Sequence, residues 1–155
     1  DSDRSSAPRK TVLTGWSIST IEVSTAGSRG SDTEMRSQPS TWDVTDPRLI
    51  FDTSSQRWFA SQVDFDTTGA INTNRFLLAI SSSPDPTGSW NAVFIPSDPG
   101  GNLFADFPTL GMDAEAVYLS GDMFDASFNP VGPTLVSVPK SSLLTATPST
   151  TGMHL

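Results

Sequence analysis

The chain has no cysteine, one histidine, one tyrosine and two lysines in 155 residues. Without cysteine there is no disulfide, no thiol nucleophile and no cysteine-bound zinc. His154 is the single histidine, so neither a His-based triad nor a multi-histidine zinc centre can be assembled. Lys10 and Lys140 are the only lysines and the net charge is -8, so nucleic acid is not an expected partner: phosphates need many basic groups to neutralise them. No run approaches the ~20 apolar residues of a membrane-spanning helix, and no membrane span is expected. The opening "DSDRSSAPRK" holds no signal-peptide pattern, which fits a mature or trimmed terminus. No Asn-x-Ser/Thr glycosylation site is present. Helical periodicity is also scarce, and "SSLLTA" (141–146) is the one short helix candidate.

What remains is an acidic, Ser/Thr-rich chain full of strand signals. "KTVLTGWSIST", "IEVST", "RLIFD", "RWFASQVDF", "RFLLAIS", "WNAVFI", "AVYLSGDMF" and "TLVSV" follow at short spacing. Gly, Pro, Asn, Asp and Ser clusters bound each run, the chemistry of turns. An all-β chain is expected, of a size for one domain. Residues 1–10 read as a flexible N-terminus and residues 24–45 as a polar surface loop. The composition leans towards an extracellular, secreted or cell-surface setting.

An internal repeat gives the organisation. "DPRLIFDTSSQRWFASQVDF" (Asp46 to Phe65) resembles "DFPTLGMDAEAVYLSGDMF" (Asp106 to Phe124). Pro47 matches Pro108, Asp52 matches Asp113, Trp58-Phe59 matches Val117-Tyr118, and Ser61 matches Ser120. "LLAIS" from Leu77 then matches "LVSVP" from Leu135. Each unit reads as four antiparallel strands, over 46–105 and 106–155, which is the sequence form of a β-propeller blade. Residues 11–155 are therefore expected to form a partial propeller of two to three blades. A closed ring needs four to eight, so the expected partners are remaining blades of the same polypeptide or neighbouring subunits.

"SSSPDPTGSW" (81–90) is expected to be the turn between the third and fourth strands of the first unit. Pro84 and Pro86 restrict φ, Asp85 accepts backbone N–H bonds, Gly88 permits positive φ, and Trp90 folds back over the turn. This stretch resembles the Asp-box turn of sialidase-like propellers, with Asp85, Gly88 and Trp90 as anchors and the glycine one position late. It also looks like the turn of arabinanase-like five-bladed glycosidases, glycoside hydrolase family 43, as does "TDPRLIFDTSSQRWFAS". The general look is that of secreted bacterial propeller proteins, over roughly Thr45 to Val138.

The sialidase resemblance implies an arginine triad and a Tyr/Glu nucleophile pair, which the chain does not supply; Tyr118 reads as a core aromatic. The arabinanase resemblance implies an Asp base, a second Asp and a Glu acid. Asp46 lies where the base would be and Asp106 is its repeat mate, while the acids available are Glu22, Glu34 and Glu115. The plainer role for Asp46 and Asp106 is to bond turn amides before proline. In "VDFDTTGAINTN", Asp64 and Asp66 fall on one side of an extended strand, and Asn72 and Asn74 can add neutral oxygens, a donor set suited to calcium. "GDMFDASFN" offers Asp122, Asp125 and Asn129 in the same way. No cofactor is required by any motif. The expected function is a binding or interaction module without a catalytic set. The alternatives are a segment of a carbohydrate-active glycoside hydrolase, or a structural subunit of a surface layer, fibre or capsid.

Overall fold

Seven strands and one four-residue helix make up the described residues, 42–68 and 74–155 of a computed structural model. β1 (Trp42–Asp52), β2 (Arg57–Asp66), β3 (Arg75–Ser81) and β4 (Trp90–Pro96) form one antiparallel sheet in that order. β5 (Phe104–Met112), β6 (Ala116–Phe124) and β7 (Pro130–Pro139) form a second, followed by α1 (Lys140–Leu143). Apart from α1, the described residues form an all-β structure, as their turn chemistry and short apolar runs lead one to expect. The strand candidates before residue 42, the N-terminal ten residues and most of the polar loop lie outside the described residues. The last loop residues, Trp42 to Thr45, belong instead to β1.

The strand pairing carries the repeat. Ser61 pairs with Arg48 and Leu78, and Ser120 pairs with Thr109 and Leu135. In each unit the first strand bulges where two residues oppose one: Asp46-Pro47 against Gln62, and Phe107-Pro108 against Gly121. Proline is tolerated there because it lacks a ladder N–H and sits in a bulge on an edge strand. The strand therefore continues past it, which makes β1 and β5 longer than "RLIF" and "TLGM" suggested. The third strands match one residue further along than the sequence reading placed them, Leu78 rather than Leu77 opposite Leu135 in the alignment.

That register decides which faces meet. Phe59, Val63, Phe76, Leu78, Ile80, Val93 and Ile95 of the first sheet share one core with Val117, Leu119, Met123, Val136 and Val138 of the second. Side chains alternate along a strand, so Phe59, Ser61 and Val63 stand on one face of β2 and Val117, Leu119 and Met123 on one face of β6. The repeat equivalents of Phe59, Ser61 and Val63 are Tyr118, Ser120 and Asp122, on the opposite face of β6. The sheets thus stack by unlike faces, front of one unit on back of the next. Gly121 lies in this contact: an added Cβ would stand 3.0 Å from the Asp106 carbonyl oxygen and 3.3 Å from Phe76. The first sheet is buried on its other face too, at Ala60, Gln62, Asp64, Leu77 and Ala79.

Ser61 is fully buried inside this contact, and its Oγ finds no partner among the described residues. A buried hydroxyl without a partner costs about 1–3 kcal/mol. Ser61→Ala is therefore expected to leave the protein as stable or more stable, by about 1 kcal/mol. Thermal and urea unfolding of the variant check this; a clear loss of stability would mean that the hydroxyl is satisfied after all.

Candidate functional site

The turn 82–89 is gripped by two indoles. Trp58 Nε1 donates to the Pro84 carbonyl at 2.9 Å and Trp90 Nε1 to the Pro86 carbonyl at 3.0 Å. Asp85 Oδ1 accepts from the Thr87 amide and hydroxyl at 2.9 and 2.7 Å, the expected Asx turn. Gly88 differs from expectation. It is not among the residues with positive φ; what it permits is close approach, since a Cβ would meet the Asp85 carbonyl oxygen at 3.3 Å. Every side-chain bond of Asp85 goes to shaping this turn.

Asp46 and Asp106 are not equivalent. Asp46 occupies the first bulge position with φ 54, and the residue matching it is Phe107, with φ 49. Asp106 instead matches Thr45. Its Oδ1 accepts from the Phe107 amide at 2.8 Å, the plainer role foreseen for it. Asp46 makes no side-chain hydrogen bond among the described residues. A non-glycine residue in the left-handed region is held there by its surroundings, at a cost of about 1–3 kcal/mol. The strain arises because the bulge and Pro47 set the backbone, and Asp tolerates that region better than most residues.

The proposed calcium donors are distributed differently from the sequence expectation. Asp64 is fully buried, and its carboxylate already faces a cation: Arg75 lies 2.6 Å away through Nε, Nη2 and its backbone amide. Burial pushes the Asp64 carboxyl up against the pull of Arg75. A calcium ion at Asp64 would have to displace that guanidinium, which also stacks on Trp42 and Phe94 at 5.5 and 4.9 Å. Asp66 accepts from the Thr68 amide at 2.9 Å and closes its own turn. Asn72 lies outside the described residues. Asp125 bonds the Ser127 and Asn129 amides and so shapes the β6–β7 turn. Among the described residues no three His, Cys, Asp or Glu side chains cluster as metal ligands do.

Asn74 has another role. Its Nδ2 donates to the carbonyls of Asp64 at 2.9 Å and Ala105 at 2.8 Å. Its Oδ1 accepts from Ser97 Oγ at 2.7 Å and the Ala105 amide at 2.9 Å. The carboxamide thus serves both backbone groups of Ala105, as a neighbouring strand would, and ties the first sheet to β5. A second tie crosses at the other end. Lys140 Nζ reaches Asp52 Oδ2 at 2.8 Å, with both side chains buried. Neither tie was legible in advance, because each joins residues distant in sequence; the one hint was a lysine directly behind an apolar strand in a lysine-poor chain.

Asp113 is the repeat equivalent of Asp52. Where Asp52 meets Lys140, the exposed Asp113 accepts from the Tyr118 hydroxyl at 2.7 Å. That bond, with the Ala116 and Glu115 amides, holds the Asp113 carboxyl below the usual range. Tyr118 is a half-buried residue on the open face rather than a core aromatic, because the core side of β6 belongs to Val117 and Leu119. The same face carries Ser120, Asp122 and Leu135, the last 59% exposed. These positions match Phe59, Ser61, Val63 and Leu78, all buried against the second sheet. At the free edge of β7, Ser137 pairs with His154, as Ile80 pairs with Asn91 at the start of β4.

No family model matches the chain, no curated protein matches it, and no solved structure matches it. Among the described residues no helix is long and apolar enough to cross a membrane.

Proposed function

We propose that the chain is part of a propeller-like array and works outside the cell as an interaction module. One observation carries this reading: the two sheets stack by unlike faces. A pair related by a two-fold axis buries the same face twice and is complete. A pair related front to back leaves one front face open, and the same operation places a further unit on it. Here the open face is that of Tyr118, Asp122 and Leu135. It is more polar than its buried equivalent, so a partner meets it through hydrogen bonds as well as apolar contact. The coding sequence on either side of the chain tests the reading. Further units with an Xaa-Pro bulge and an Asx-turn aspartate are expected; stop codons immediately bracketing the chain would remove it.

One observation favours a second reading, a segment of a glycoside hydrolase. Asp46 combines a strained backbone with a carboxylate that has no hydrogen-bond partner among the described residues. Bulges and strain of this kind recur beside active sites. Glycoside hydrolysis needs a second carboxyl across the bond, and the repeat puts Phe107, not an acid, at the matching position. An oligosaccharide hydrolysis screen with Asp46→Asn as control decides. Activity that is lost in the variant supports this reading, and activity unchanged in it takes Asp46 out of the site.

A further inference from the structure

A cleft of about 320 Å³ opens between one end of the first sheet and the segment that follows α1. Its polar lining includes Arg57, Ser82, Asn91 and Thr145, and its apolar lining includes the exposed Leu144 and Ala146. The volume lies at the lower end of the range for small-molecule sites. Arg57 stands across the β1–β2 ladder from Asp52, its natural acidic neighbour. Asp52 is fully engaged by Lys140, Ser54 and Ser55. The Arg57 guanidinium is left with one bond, from Nη1 to the Gln56 carbonyl at 3.2 Å. In a chain of net charge -8, this guanidinium lines a cleft with no acid partner among the described residues. The neighbouring polar groups also keep capacity. Asn91 Nδ2 meets Ser82 Oγ, and Thr145 Oγ1 meets the Ser142 carbonyl, both only at 3.4 Å. The second unit has nothing comparable, since Ala116 takes the place of Arg57.

We propose that this cleft binds a small polyhydroxy carboxylate, with Arg57 taking the carboxylate and Ser82, Asn91 and Thr145 taking hydroxyl groups. The guanidinium fork matches a planar carboxylate with two parallel bonds. A single cation among the lining residues balances a monoanion better than a phosphate dianion. Hydroxyl and amide side chains both donate and accept, as a ligand's hydroxyls do. Leu144 and Ala146 offer apolar contact to the ligand's C–H groups. The proposal stands on the cleft alone and does not depend on the propeller reading.

The test is a titration of the ¹⁵N-labelled chain, read by amide shifts and calorimetry. The probes are D-glucuronate, D-gluconate, D-glucuronate methyl ester and inorganic phosphate. Glucuronate is expected to bind saturably and to shift Ser82, Asn91 and Thr145. Gluconate binding at the same amides supports the class, with its strength against glucuronate telling ring from linear ligands. The uncharged ester and the Arg57→Gln variant are each expected to bind about tenfold more weakly or worse, since a charge-assisted bond contributes about 1.5–3 kcal/mol. The amide spectrum of Arg57→Gln shows whether it remains folded, and Arg57→Lys serves as a second variant with the charge kept and the fork removed. Absence of saturable shifts, equal binding of the ester, equal binding by Arg57→Gln, or tighter binding of phosphate would each overturn the proposal.

Discussion

Asp52→Asn is expected to lower the melting temperature by roughly 10 °C, because breaking a buried ion pair from one side costs about 3–5 kcal/mol. The loss is asymmetric. Lys140 is 5% exposed and its ammonium has Asp52 as its one hydrogen-bond partner among the described residues. Asp52 has three further donors, the Ser54 amide and hydroxyl and the Ser55 hydroxyl, at 2.7 to 3.1 Å. Lys140→Met therefore leaves a carboxylate that is still solvated by the turn, and is expected to cost less than Asp52→Asn. The double variant should recover much of the Asp52→Asn loss, since no buried charge is stranded in it. Equal losses in both single variants, or a double variant at the sum of the two, would show that the pair is not coupled in this way.

Acid titration adds a sign to that result. Burial pushes the Asp52 carboxyl up, but the Lys140 ammonium and the Ser55 and Ser54 bonds outweigh it and hold the group well below the usual carboxylate range. A group with a depressed folded pKa stabilises the fold above its unfolded pKa, near 3.9 for Asp, and the contribution is lost as pH falls. The stability gap between wild type and Asp52→Asn should be full at neutral pH and shrink below about pH 4. A gap that widens on acidification would contradict the assignment.

Asn74→Ala is expected to be as damaging, by about 3–5 kcal/mol, because it strips partners from several buried groups at once. The Ala105 amide and carbonyl both depend on the carboxamide, and Asp64 and Ser97 contribute the other two bonds. Asn74→Asp separates hydrogen bonding from size. It is nearly isosteric, but it turns a donor into an acceptor facing two carbonyl oxygens, so it should be no better than alanine. Amide exchange reads the local consequence: the Ala105 amide should lose protection in Asn74→Ala, which removes its acceptor, and keep more of it in Asn74→Asp, which retains that oxygen. Had Asn74 served chiefly as a calcium ligand, Asn74→Asp would hold or gain stability in millimolar calcium, and that outcome would reverse the reading.

Much of the fold was legible because turn chemistry is local. Asp85 bonds the Thr87 amide two residues on, as an aspartate between two prolines and before a glycine does. Asp113 and Asp125 make the same kind of local bond, Asp125 at a place where calcium had been the expectation. The repeat was legible because Pro47 and Pro108, and Ser61 and Ser120, recur in step. The same pattern misled where a single residue decides. Asp106 looked like the mate of Asp46, yet proline locates the bulge, and the residue before it is Phe107. Strand period is two, so a slip of one residue exchanges the two faces of a sheet. Asp64 and Asp66 show the converse limit: alternation put both carboxylates on one side, but Arg75, on the paired strand, supplies the cation that Asp64 faces.

By itself, then, the sequence determined an all-β fold, most of the strands and their turns, since these follow from neighbours along the chain. The fourth strand expected in the second unit is a single bridge at His154, because the segment after α1 runs past β7 without a paired stretch. Only the tertiary structure decided that Phe59 is core while its counterpart Tyr118 is open, that Asn74 stands in for a strand, and that Lys140 reaches Asp52. Those outcomes depend on how one sheet is laid on another. The contact joins residues many positions apart, and its free energy comes from burial that no local segment can achieve.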